Sequence, residues 1–486
     1  MSDINLPMHL SLKQIKAWLS DSESSNQSES VKLHGDEQLT IQRVNTDSRT
    51  VQAGDLFVAL RGERFDANNF LPDVANSGAT AALAHRGLDA AKLAGLEVAD
   101  TRLALGSLAK GWRSQFDLPV IAVTGSNGKT TVTQMIASIL RAGLGDDALA
   151  TQGNLNNDIG VPQTLLRLRG HHRGAVVELG MNHAGEIAGL AAMTHPTVAL
   201  VNNAQREHQE HMATVDAVAQ ENGEVIHALP IDGVAVFPAN DAYTPLWQSF
   251  AGERMCMRFS MKPVDASLAE VQLINADWLQ DHWSMQAQTP MGVLHTQLNI
   301  AGRHNVSNAL AATAAALAAG VSLEVISQGL KKFEPVKGRS RAFGITCGGH
   351  DVTVVDDTYN ANPDSVRAAI DVLAELPGPR LLVLGDMGEV GTQGPEFHQE
   401  VGQHAAHKGI DHVLCLGELA AHSAQAVGKR AQHFVDIETL NKNVTQLLPQ
   451  VGSVLVKGSR FMKMERVIDV INACQGNSQK ETTPCC

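Results

Sequence analysis

The feature that most constrains the fold of this chain is an apolar strand followed directly by a short glycine-containing loop and a helix. The strand is predicted at residues 120–123, and the loop TGSNGKTT follows at 124–131. The helix is predicted to continue to about Ala142 and to end at Gly143. Strand, glycine loop and helix in this order form the βα unit of nucleotide-binding sheets. A parallel α/β sheet that binds phosphate is therefore expected.

The residue types in this loop suit a nucleoside triphosphate. Gly125 and Gly128 let backbone N–H groups wrap phosphate oxygens without a Cβ in the way. Lys129 is placed to meet the β- and γ-phosphates, and the Thr130 hydroxyl is placed to hold Mg²⁺. The spacing G-x-x-G-K-T is two residues shorter than that of the usual phosphate loop. The prediction of a phosphate loop therefore depends on its position between a strand and a helix. The residues assigned to ATP in this loop are Thr124, Gly125, Ser126, Asn127, Gly128, Lys129, Thr130 and Thr131.

The alternation of strands and helices continues on both sides of the loop. Upstream, a strand is predicted at 53–60, and a helix, a glycine turn and a strand at 70–85. Downstream, strands are predicted at 174–179, 197–202, 233–237, 352–356, 380–385, 412–416 and 453–456, with helices at 305–320 and 363–375. The 486 residues are thus predicted to form three α/β domains. They are a small N-terminal domain (1–116), a central ATP-binding domain with a largely parallel sheet (117–336) and a C-terminal Rossmann-like domain (337–486).

Composition excludes several classes of function. There are 38 Lys and Arg against 51 Asp and Glu, a net charge of −13, which argues against a nucleic-acid binder. Aromatic residues make up only 4%, so a base-stacking platform is not expected. The six cysteines contain no C-x-x-C pair, which argues against a zinc ribbon or a disulfide scaffold and fits a reducing compartment. No secretory signal and no apolar run of membrane-spanning length is visible, so a cytoplasmic protein is expected.

Two short segments have less specific sequences. Residues 20–30 (SDSESSNQSES) are predicted to form a solvated loop within the first domain. The pair Cys485 and Cys486 fits a prenylation site or the end of an exposed tail, and the tail is favoured because the residues before it carry no polybasic patch.

A carboxylate and an imidazole follow two of the predicted strands. Glu178 ends the apolar run AVVE, at the carboxyl edge where open α/β sheets bind ligands. His208 comes after the next strand, in NNAQREHQEH. A divalent cation needs hard ligands beyond Thr130, so Glu178 is a predicted metal ligand. His208 alone ranks low as a ligand, and its place after a second strand raises it. The alternatives are a solvated acid at a strand end and a surface histidine.

Longer segments resemble the Mur ligase family, the ATP-dependent ligases that build the bacterial cell-wall peptide. The resemblance covers almost the whole chain. It is carried by NTDSRTVQAGDLFVALRGERFDANNF (45–70), TGSNGKTT, TQGNLNNDIGVPQTLL (151–166), VVELGMNHAGEI (176–187), AGRHNVSNALAA (301–312), VKGRS (336–340), VVDDTYNANPDSVRAAI (354–370), LGDMGEVG (384–391) and VLVKGSRFMKME (454–465). YNANPDS and GNLNNDIG resemble the member that adds D-alanyl-D-alanine. The resemblance implies a monomer whose partners are the small molecules D-Ala-D-Ala and UDP-N-acetylmuramoyl-tripeptide.

The resemblance also implies roles for single residues. Lys129, Glu178, His208 and Arg339 match the catalytic set, and Thr130, Glu178 and His208 match the Mg²⁺ site. Asn305, Arg339 and Asp357 match residues near adenine, phosphates and ribose. Ser48, Arg49, Asn154, Asn157 and Ile159 match the UDP-sugar-peptide site, and Asn360 and Asn362 match the D-Ala-D-Ala site. Lys457, Ser459 and Arg460 are expected to face the same cleft.

Structural alternatives stand beside some of these roles. Asp357 is also a candidate helix cap, and Ser48, Asn360 and Asn362 are also candidate turn residues.

One position departs from the family pattern. The family carries a lysine, carbamylated by CO₂, in A-x-x-K-G-E-I, whereas AQENGEV (219–225) places Asn222 there. No lysine occurs between Lys129 and Lys262 to replace it. The family's AHLEGFGS is also altered, to EHQEHMAT (207–214). We therefore expect a chain that works without a lysine carbamate.

The resemblance predicts acyl-phosphate chemistry, with ATP activating the peptide's terminal carboxylate and D-Ala-D-Ala supplying the amine. It also predicts open and closed forms, with the KGR segment as the hinge. Three alternatives remain: a ligase for another amino acid or for folate, an ATP-binding module or switch without ligase activity, and a structural scaffold. The third residue of the acceptor peptide, meso-diaminopimelate or lysine, is left open.

Overall fold

The protein is described by a computed structural model over residues 7–20, 31–62, 65–207, 212, 214–262, 268–279 and 282–477. His208, residues 21–30 of the low-complexity segment and the terminal cysteine pair lie outside the described residues. Within the described ranges, no helix is long and apolar enough to cross a membrane.

The first part of the chain forms a small α/β domain. Its elements are β1 (Leu10–Ser11), α1 (Leu12–Ser20), β2 (Lys32–His34), β3 (Thr40–Ile41), β4 (Arg43–Asn45), β5 (Asp55–Val58), α2 (Leu71–Asn76), β6 (Ala81–Ala84), α3 (Leu88–Ala91), β7 (Gly95–Glu97) and α4 (Thr101–Arg113). The sheet has the order β2-β7-β6-β5-β4, and β1 pairs with β3 separately. β5 and β6 are buried along their whole length, as expected for central parallel strands. The predicted strand, helix, turn and strand in this region are confirmed.

The central domain is built on a nine-stranded sheet. Its elements are β8 (Val120–Thr124), α5 (Lys129–Leu144), β9 (Ala148–Ala150), α6 (Gly160–Leu165), β10 (Gly174–Glu178), α7 (Glu186–Thr194), β11 (Val198–Val201), α8 (Val215–His227), β12 (Val234–Pro238), α9 (Thr244–Ala251), β13 (Met255–Ser260), β14 (Val271–Leu279), β15 (His282–Thr289), β16 (Gly292–Leu298), α10 (Arg303–Ala318) and α11 (Leu323–Lys331). The strand order is β16-β15-β14-β13-β12-β11-β8-β10-β9. The strands from β8 to β14 are parallel, which confirms the prediction, but β15 and β16 add an antiparallel extension that was not predicted.

The end of α5 differs from the prediction. Gly143 lies inside the helix, where a Cβ would come within 3.0 Å of the Val325 side chain on α11. Gly145 ends the helix instead, with a φ of 59° that glycine adopts readily. Gly143 therefore allows α5 to pack closely against α11, and the C-cap residue of α5 lies two positions later.

The C-terminal domain contains a six-stranded sheet. Its elements are β17 (Arg341–Cys347), β18 (His350–Asp357), α12 (Pro363–Glu375), β19 (Arg380–Gly385), α13 (Gly394–His407), β20 (His412–Leu416), α14 (Ala420–Val427), β21 (Ala431–Phe434), α15 (Ile437–Leu447), β22 (Ser453–Lys457) and α16 (Glu465–Asn477). The order is β17-β18-β22-β19-β20-β21, with β17 as an antiparallel edge. The four predicted strands and the helix α12 are confirmed. Polar residues at or just after the carboxyl ends of β18, β22, β8, β10 and β11 line one cleft.

Candidate active site

A cleft of about 890 Å³ lies between the central and C-terminal domains. Residues 126–131 of the phosphate loop line it, together with Glu178, Asn305, Arg339 and Asp357. Arg102 and Leu103 of α4 bring the N-terminal domain to one end of the cleft. Most of the predicted site residues are thus collected around a single opening.

The glycines of the phosphate loop are required by its backbone. Gly125 and Gly128 have φ values of 128° and 81°, a region that other residues rarely adopt. A Cβ on Gly128 would lie 2.6 Å from Asn308 Oδ1, and one on Gly125 would lie 3.0 Å from the backbone N of Asn202. α5 begins at Lys129, so its N-terminal N–H groups face the cleft. Glycines at positive φ beside a helix N-terminus are typical of an anion-binding loop.

The segment after β11 holds the phosphate loop in place. Asn203 accepts a hydrogen bond from the Asn127 N–H at 2.9 Å through its side chain. Its backbone carbonyl accepts one from the Ser126 N–H at 3.1 Å. The Gln205 carbonyl accepts from the Ser126 hydroxyl, and the Gln205 side chain accepts from Asn127 Nδ2 at 2.6 Å. Sequence reasoning missed these partners, because they lie more than 70 positions from the loop.

Asn222 is buried and supports the first turn of the loop. Its Oδ1 accepts hydrogen bonds from Thr124 Oγ1 at 2.5 Å and from the Gly125 N–H at 2.9 Å. The side chain is 1% exposed, and its Nδ2 has no hydrogen-bond partner. An asparagine at this position therefore fixes the backbone where the loop leaves β8.

Lys129 forms an ion pair that the sequence did not predict. Its ammonium donates to Ser126 O at 3.1 Å, to Gly125 O, and to Glu207 Oε2 at 3.2 Å. Side-chain exposure is 16% for Lys129 and 6% for Glu207, so the pair is largely removed from water. Glu207 occupies the position at which the family pattern has alanine. This altered segment was the sequence feature that could have indicated the ion pair. Lys129 thus has a carboxylate partner in this structure.

Glu178 has the features of a metal ligand. Its Oε1 accepts hydrogen bonds from Thr130 Oγ1 at 3.0 Å and from Asn156 Nδ2 at 2.8 Å. Its Oε2 is buried without a partner, in a residue only 1% exposed. An unpaired buried carboxylate oxygen beside a hydroxyl and a phosphate loop fits a divalent cation. The described residues contain no cluster of three His, Cys, Asp or Glu that would form a fuller site, and the predicted ligand His208 lies outside them.

Asn305 lies at the start of α10, where it lines the cleft. Its Nδ2 donates to Ala301 O at 2.7 Å, and its Oδ1 accepts from Asn308 Nδ2 at 2.8 Å. Asn308 Oδ1 in turn accepts from Asn202 Nδ2 at 3.0 Å. This chain of amides links α10 to the segment behind the phosphate loop.

Arg339 and Asp357 face the cleft from the C-terminal domain. The Arg339 guanidinium lies 4.0 Å from the centre of the Tyr359 ring, and its Nε is buried without a hydrogen-bond partner. Asp357 accepts from the Ser340 N–H at 2.9 Å and pairs with Lys457 Nζ at 2.5 Å. Asp357 is the last residue of β18 and Asn362 is the N-cap of the next helix, so the helix-cap alternative for Asp357 is wrong. Lys457 is buried, and it also donates to Asn360 O at 2.9 Å.

Asn362 combines two roles. It is the N-cap of α12, where its Oδ1 accepts from the Ser365 N–H at 2.8 Å. Its Nδ2 donates across the cleft to Asn127 Oδ1 at 2.9 Å. The predicted turn role and a contact with the phosphate loop are thus both present. Asn360 lines the cleft and accepts from the Ala361 N–H at 2.9 Å.

The residues predicted for the UDP-sugar-peptide site are spread more widely. Asn154 and Asn157 line the cleft, and Asn157 Oδ1 accepts from the Gly160 N–H at 2.9 Å. Ile159 packs against the core instead, and Ser48 and Arg49 do not line the cleft. The exposed Arg49 forms a double hydrogen bond with Asp47, at 2.7 and 2.8 Å, which lowers the pKa of that carboxyl to about 2.

The chain is similar in sequence to known proteins. Residues 40–113, 123–316 and 341–460 match the models for the Mur ligase family catalytic domain, the Mur ligase middle domain and the Mur ligase glutamate ligase domain. The UDP-N-acetylmuramoyl-tripeptide–D-alanyl-D-alanine ligase of Escherichia coli is 42% identical over 88% of this chain and 93% of its own length. The Haemophilus influenzae enzyme of that name is 39% identical over 90% and 95%.

The fold of the chain is also similar to that of solved structures. MurF from Acinetobacter baumannii superposes with a TM-score of 0.87 at 36% identity, covering 96% of this chain and 99% of its own. MurF from Thermotoga maritima in complex with ADP has a TM-score of 0.78 at 24% identity, covering 90% and 98%, which shows the shared fold. With three matched domain models and relatives that cover most of both chains, this chain belongs to the Mur ligase family.

Proposed function

We propose that the chain is an ATP-dependent ligase that joins D-alanyl-D-alanine to UDP-N-acetylmuramoyl-tripeptide, in the synthesis of the cell-wall precursor. The observation that carries this proposal is the cleft, where a phosphate loop meets the start of α12 through the Asn127–Asn362 hydrogen bond. The relatives in E. coli and H. influenzae that bear this activity in their names support the choice of substrates.

The reaction needs activation because a carboxylate does not react with an amine. The peptide's terminal carboxylate attacks the γ-phosphorus of ATP, and the bond to the bridging oxygen breaks, so ADP leaves. The product is an acyl phosphate, whose carbonyl carbon is then attacked by the free amine of D-Ala-D-Ala. Phosphate departs with the former carboxylate oxygen and the amine loses a proton, which leaves one new amide, ADP and phosphate.

The residues around the cleft suit these steps. Lys129 at the start of α5 and Arg339 across from it are the cations that offset charge on the transferred phosphoryl group. Both side chains line the cleft, where Lys129 pairs with Glu207 and Arg339 lies over the Tyr359 ring. Mg²⁺, held by Glu178 and Thr130, would neutralise further phosphate charge. The proposed third ligand is His208.

The C-terminal domain supplies the second substrate's site. Asn360 and Asn362 form the turn before α12, and both line the cleft opposite the phosphate loop. An acyl phosphate is destroyed by water, so a cleft closed by this domain protects the intermediate. Asp357 and Lys457 stabilise the base of this turn through their ion pair and the bond from Lys457 to Asn360 O.

Several finer proposals accompany this function. Domain boundaries are placed near residues 116 and 336, and the protein is proposed to act as a monomer. Asn222 makes a lysine carbamate impossible at its position, and its contacts with Thr124 and Gly125 give that position a structural role instead. An A. baumannii relative at 36% identity bears a name that places 2,6-diaminopimelate in its peptide, which supports the same third residue here.

The deciding experiment measures phosphate release from ATP and Mg²⁺, with and without each substrate. Release that needs both UDP-N-acetylmuramoyl-tripeptide and D-Ala-D-Ala, with a pentapeptide product by mass, establishes the ligase. Release indifferent to both substrates favours the ATP-binding module instead. Tripeptides that end in meso-diaminopimelate and in lysine are compared in the same assay to identify the preferred third residue.

A further inference from the structure

Arg206 joins the central domain to the C-terminal domain through two carboxylates. Its guanidinium donates to Asp364 at 2.6 and 3.2 Å and to Glu400 at 2.7 and 3.0 Å. Its backbone N–H also donates to Asp364, at 3.0 Å. The guanidinium lies 5.4 Å from the centre of the Phe397 ring, and Arg367 donates to Glu400 Oε1 at 2.8 Å. We call Arg206, Asp364 and Glu400 the clasp.

The clasp is stronger than an ordinary surface pair. Its three side chains are 23–32% exposed, so water screens their charges only in part. Both carboxylates bind the planar guanidinium through two hydrogen bonds, which is the geometry that lysine cannot reproduce. Hydrogen bonds from Arg206 and then Arg367 lower the pKa of Glu400, so this carboxyl is ionised at neutral pH.

The position of the clasp in the chain connects two parts of the candidate active site. Arg206 directly follows Gln205, whose carbonyl and side chain hold Ser126 and Asn127 of the phosphate loop. Asp364 is the second residue of α12, and Asn362, the N-cap of that helix, contacts Asn127. The clasp therefore connects the start of α12, next to the turn that carries Asn360 and Asn362, with the segment that holds the phosphate loop.

We propose that Arg206 is a positioning residue, which holds the start of α12 over the phosphate loop and so places the D-Ala-D-Ala site against the activated carboxylate. The inference rests on the proposed function, since it assigns the dipeptide to the turn at Asn360 and Asn362. Arg206 lines the cleft and is assigned no contact with the reacting atoms. Its loss is expected to weaken binding of the dipeptide while the contacts that bind ATP stay in place.

The test compares Arg206→Gln, Arg206→Lys and Glu400→Gln with the unaltered chain in the coupled ligase assay. We expect KM for D-Ala-D-Ala to rise about tenfold in Arg206→Gln, which is the fold-change for the loss of about 1.4 kcal/mol. KM for ATP is expected to stay within twofold. Glu400→Gln is expected to show a smaller rise in the same KM. Lysine is expected to restore only part of the effect, because it cannot bind both carboxylates in the same plane.

Arg173→Gln is the matched control, because Arg173 is an exposed arginine of the same domain away from the cleft. It is expected to leave all constants unchanged. The double variant Arg206→Gln/Glu400→Gln is expected to raise KM for the dipeptide by less than the product of the two single effects, since both remove the same contact. A fall in kcat with unchanged KM for the dipeptide, or equal effects on ATP and dipeptide, overturns the proposal.

A second measurement separates this inference from the proposed function. Small-angle scattering reports the distance between domains without any substrate, so it applies even when no ligase activity is found. Arg206→Gln is expected to increase the radius of gyration relative to the unaltered chain and to Arg173→Gln. An unchanged radius of gyration shows that the clasp does not hold the domains together, and it overturns the proposal whatever the activity.

Discussion

The Nδ2 of Asn362 donates a hydrogen bond to Oδ1 of Asn127, 235 positions earlier in the sequence, at 2.9 Å. Asn127 lies in the phosphate loop, and Asn362 is the N-cap of α12 in the C-terminal domain. One side chain therefore stabilises its own helix through Oδ1 and contacts the nucleotide-binding loop through Nδ2. These two contacts can be separated by substitution, because they use different atoms.

Asn362→Asp is expected to keep the helix cap and lose the contact with the loop. Aspartate caps helices as well as asparagine does, but it has no N–H to donate to Asn127. Asn362→Ala loses both contacts and is expected to cost about 1 kcal/mol of stability as well. We expect both variants to have reduced ligase activity, with the melting temperature lowered only in Asn362→Ala. Full activity in Asn362→Asp would show that the contact across the cleft is dispensable.

Lys129→Met is expected to abolish ATP-dependent phosphate release while the fold is kept. The methionine side chain retains the apolar length of lysine but supplies no cation at the phosphates. Loss of one such group at a charged transition state lowers kcat by roughly 100-fold or more. Lys110→Met, at an exposed lysine on α4, is the control and is expected to behave like the unaltered chain. Comparable loss of activity in both variants contradicts the assigned role.

His172 is expected to make the protein less stable as the medium becomes mildly acidic. Desolvation, then the charges of His171 and nearby arginines, lowers the pKa of His172 from 6.5 to about 4. Its Nδ1 accepts a hydrogen bond from the Arg169 N–H at 2.9 Å, which requires the neutral ring. Because the folded pKa lies below the unfolded one, the contribution is complete above pH 6.5 and is lost as the pH falls toward 4.

The measurement is the midpoint of urea unfolding at pH 7, 5.5 and 4.5. His172→Asn retains an acceptor oxygen but does not titrate, so its midpoint is expected to fall less across this range. Parallel pH dependence in the two proteins rules out His172 as the source.

The sequence predicted the fold wherever strands are buried on both faces. The runs that became β19 and β20 were predicted with the bounds that the structure has, because central parallel strands are continuous apolar segments bounded by charged or turn residues. The antiparallel strands β15 and β16 were missed. They bury alternate residues, and that alternation with period two was present in residues 282–298 but was not used.

For the candidate site, the sequence predicted the residues that follow strand ends. It did not predict the hydrogen-bond partners that hold the phosphate loop in position. Glu178 and the phosphate loop lie where the order of strand and helix placed them. The partners of the loop, Asn203, Gln205 and Asn222, depend on which strands become neighbours in the sheet. That order is a tertiary property, since β8 lies between β11 and β10, both of which follow it in the chain.

Glu207→Gln is expected to tighten nucleotide binding. In this structure Glu207 holds the Lys129 ammonium at 3.2 Å, so phosphate must replace a carboxylate partner when it binds. Glutamine keeps the size and polarity of the side chain but removes the charge that competes with phosphate. We expect the Kd for ADP without Mg²⁺ to fall several-fold by calorimetry, and omission of the metal keeps any role of Glu207 toward a cation out of the comparison. Weaker binding of ADP would mean that Glu207 orients Lys129 rather than competing for it.

Asn222→Ala is expected to weaken ATP binding through the backbone of the phosphate loop. The substitution leaves the Thr124 hydroxyl and the Gly125 N–H without their buried acceptor, and an unsatisfied buried donor costs about 1–3 kcal/mol. Asn222→Asp restores an acceptor oxygen and is expected to recover part of the affinity. Since position 222 has no amine to carbamylate, added bicarbonate is expected to leave the activity of the unaltered chain unchanged. Strong activation by bicarbonate would contradict the expectation that the chain works without a lysine carbamate.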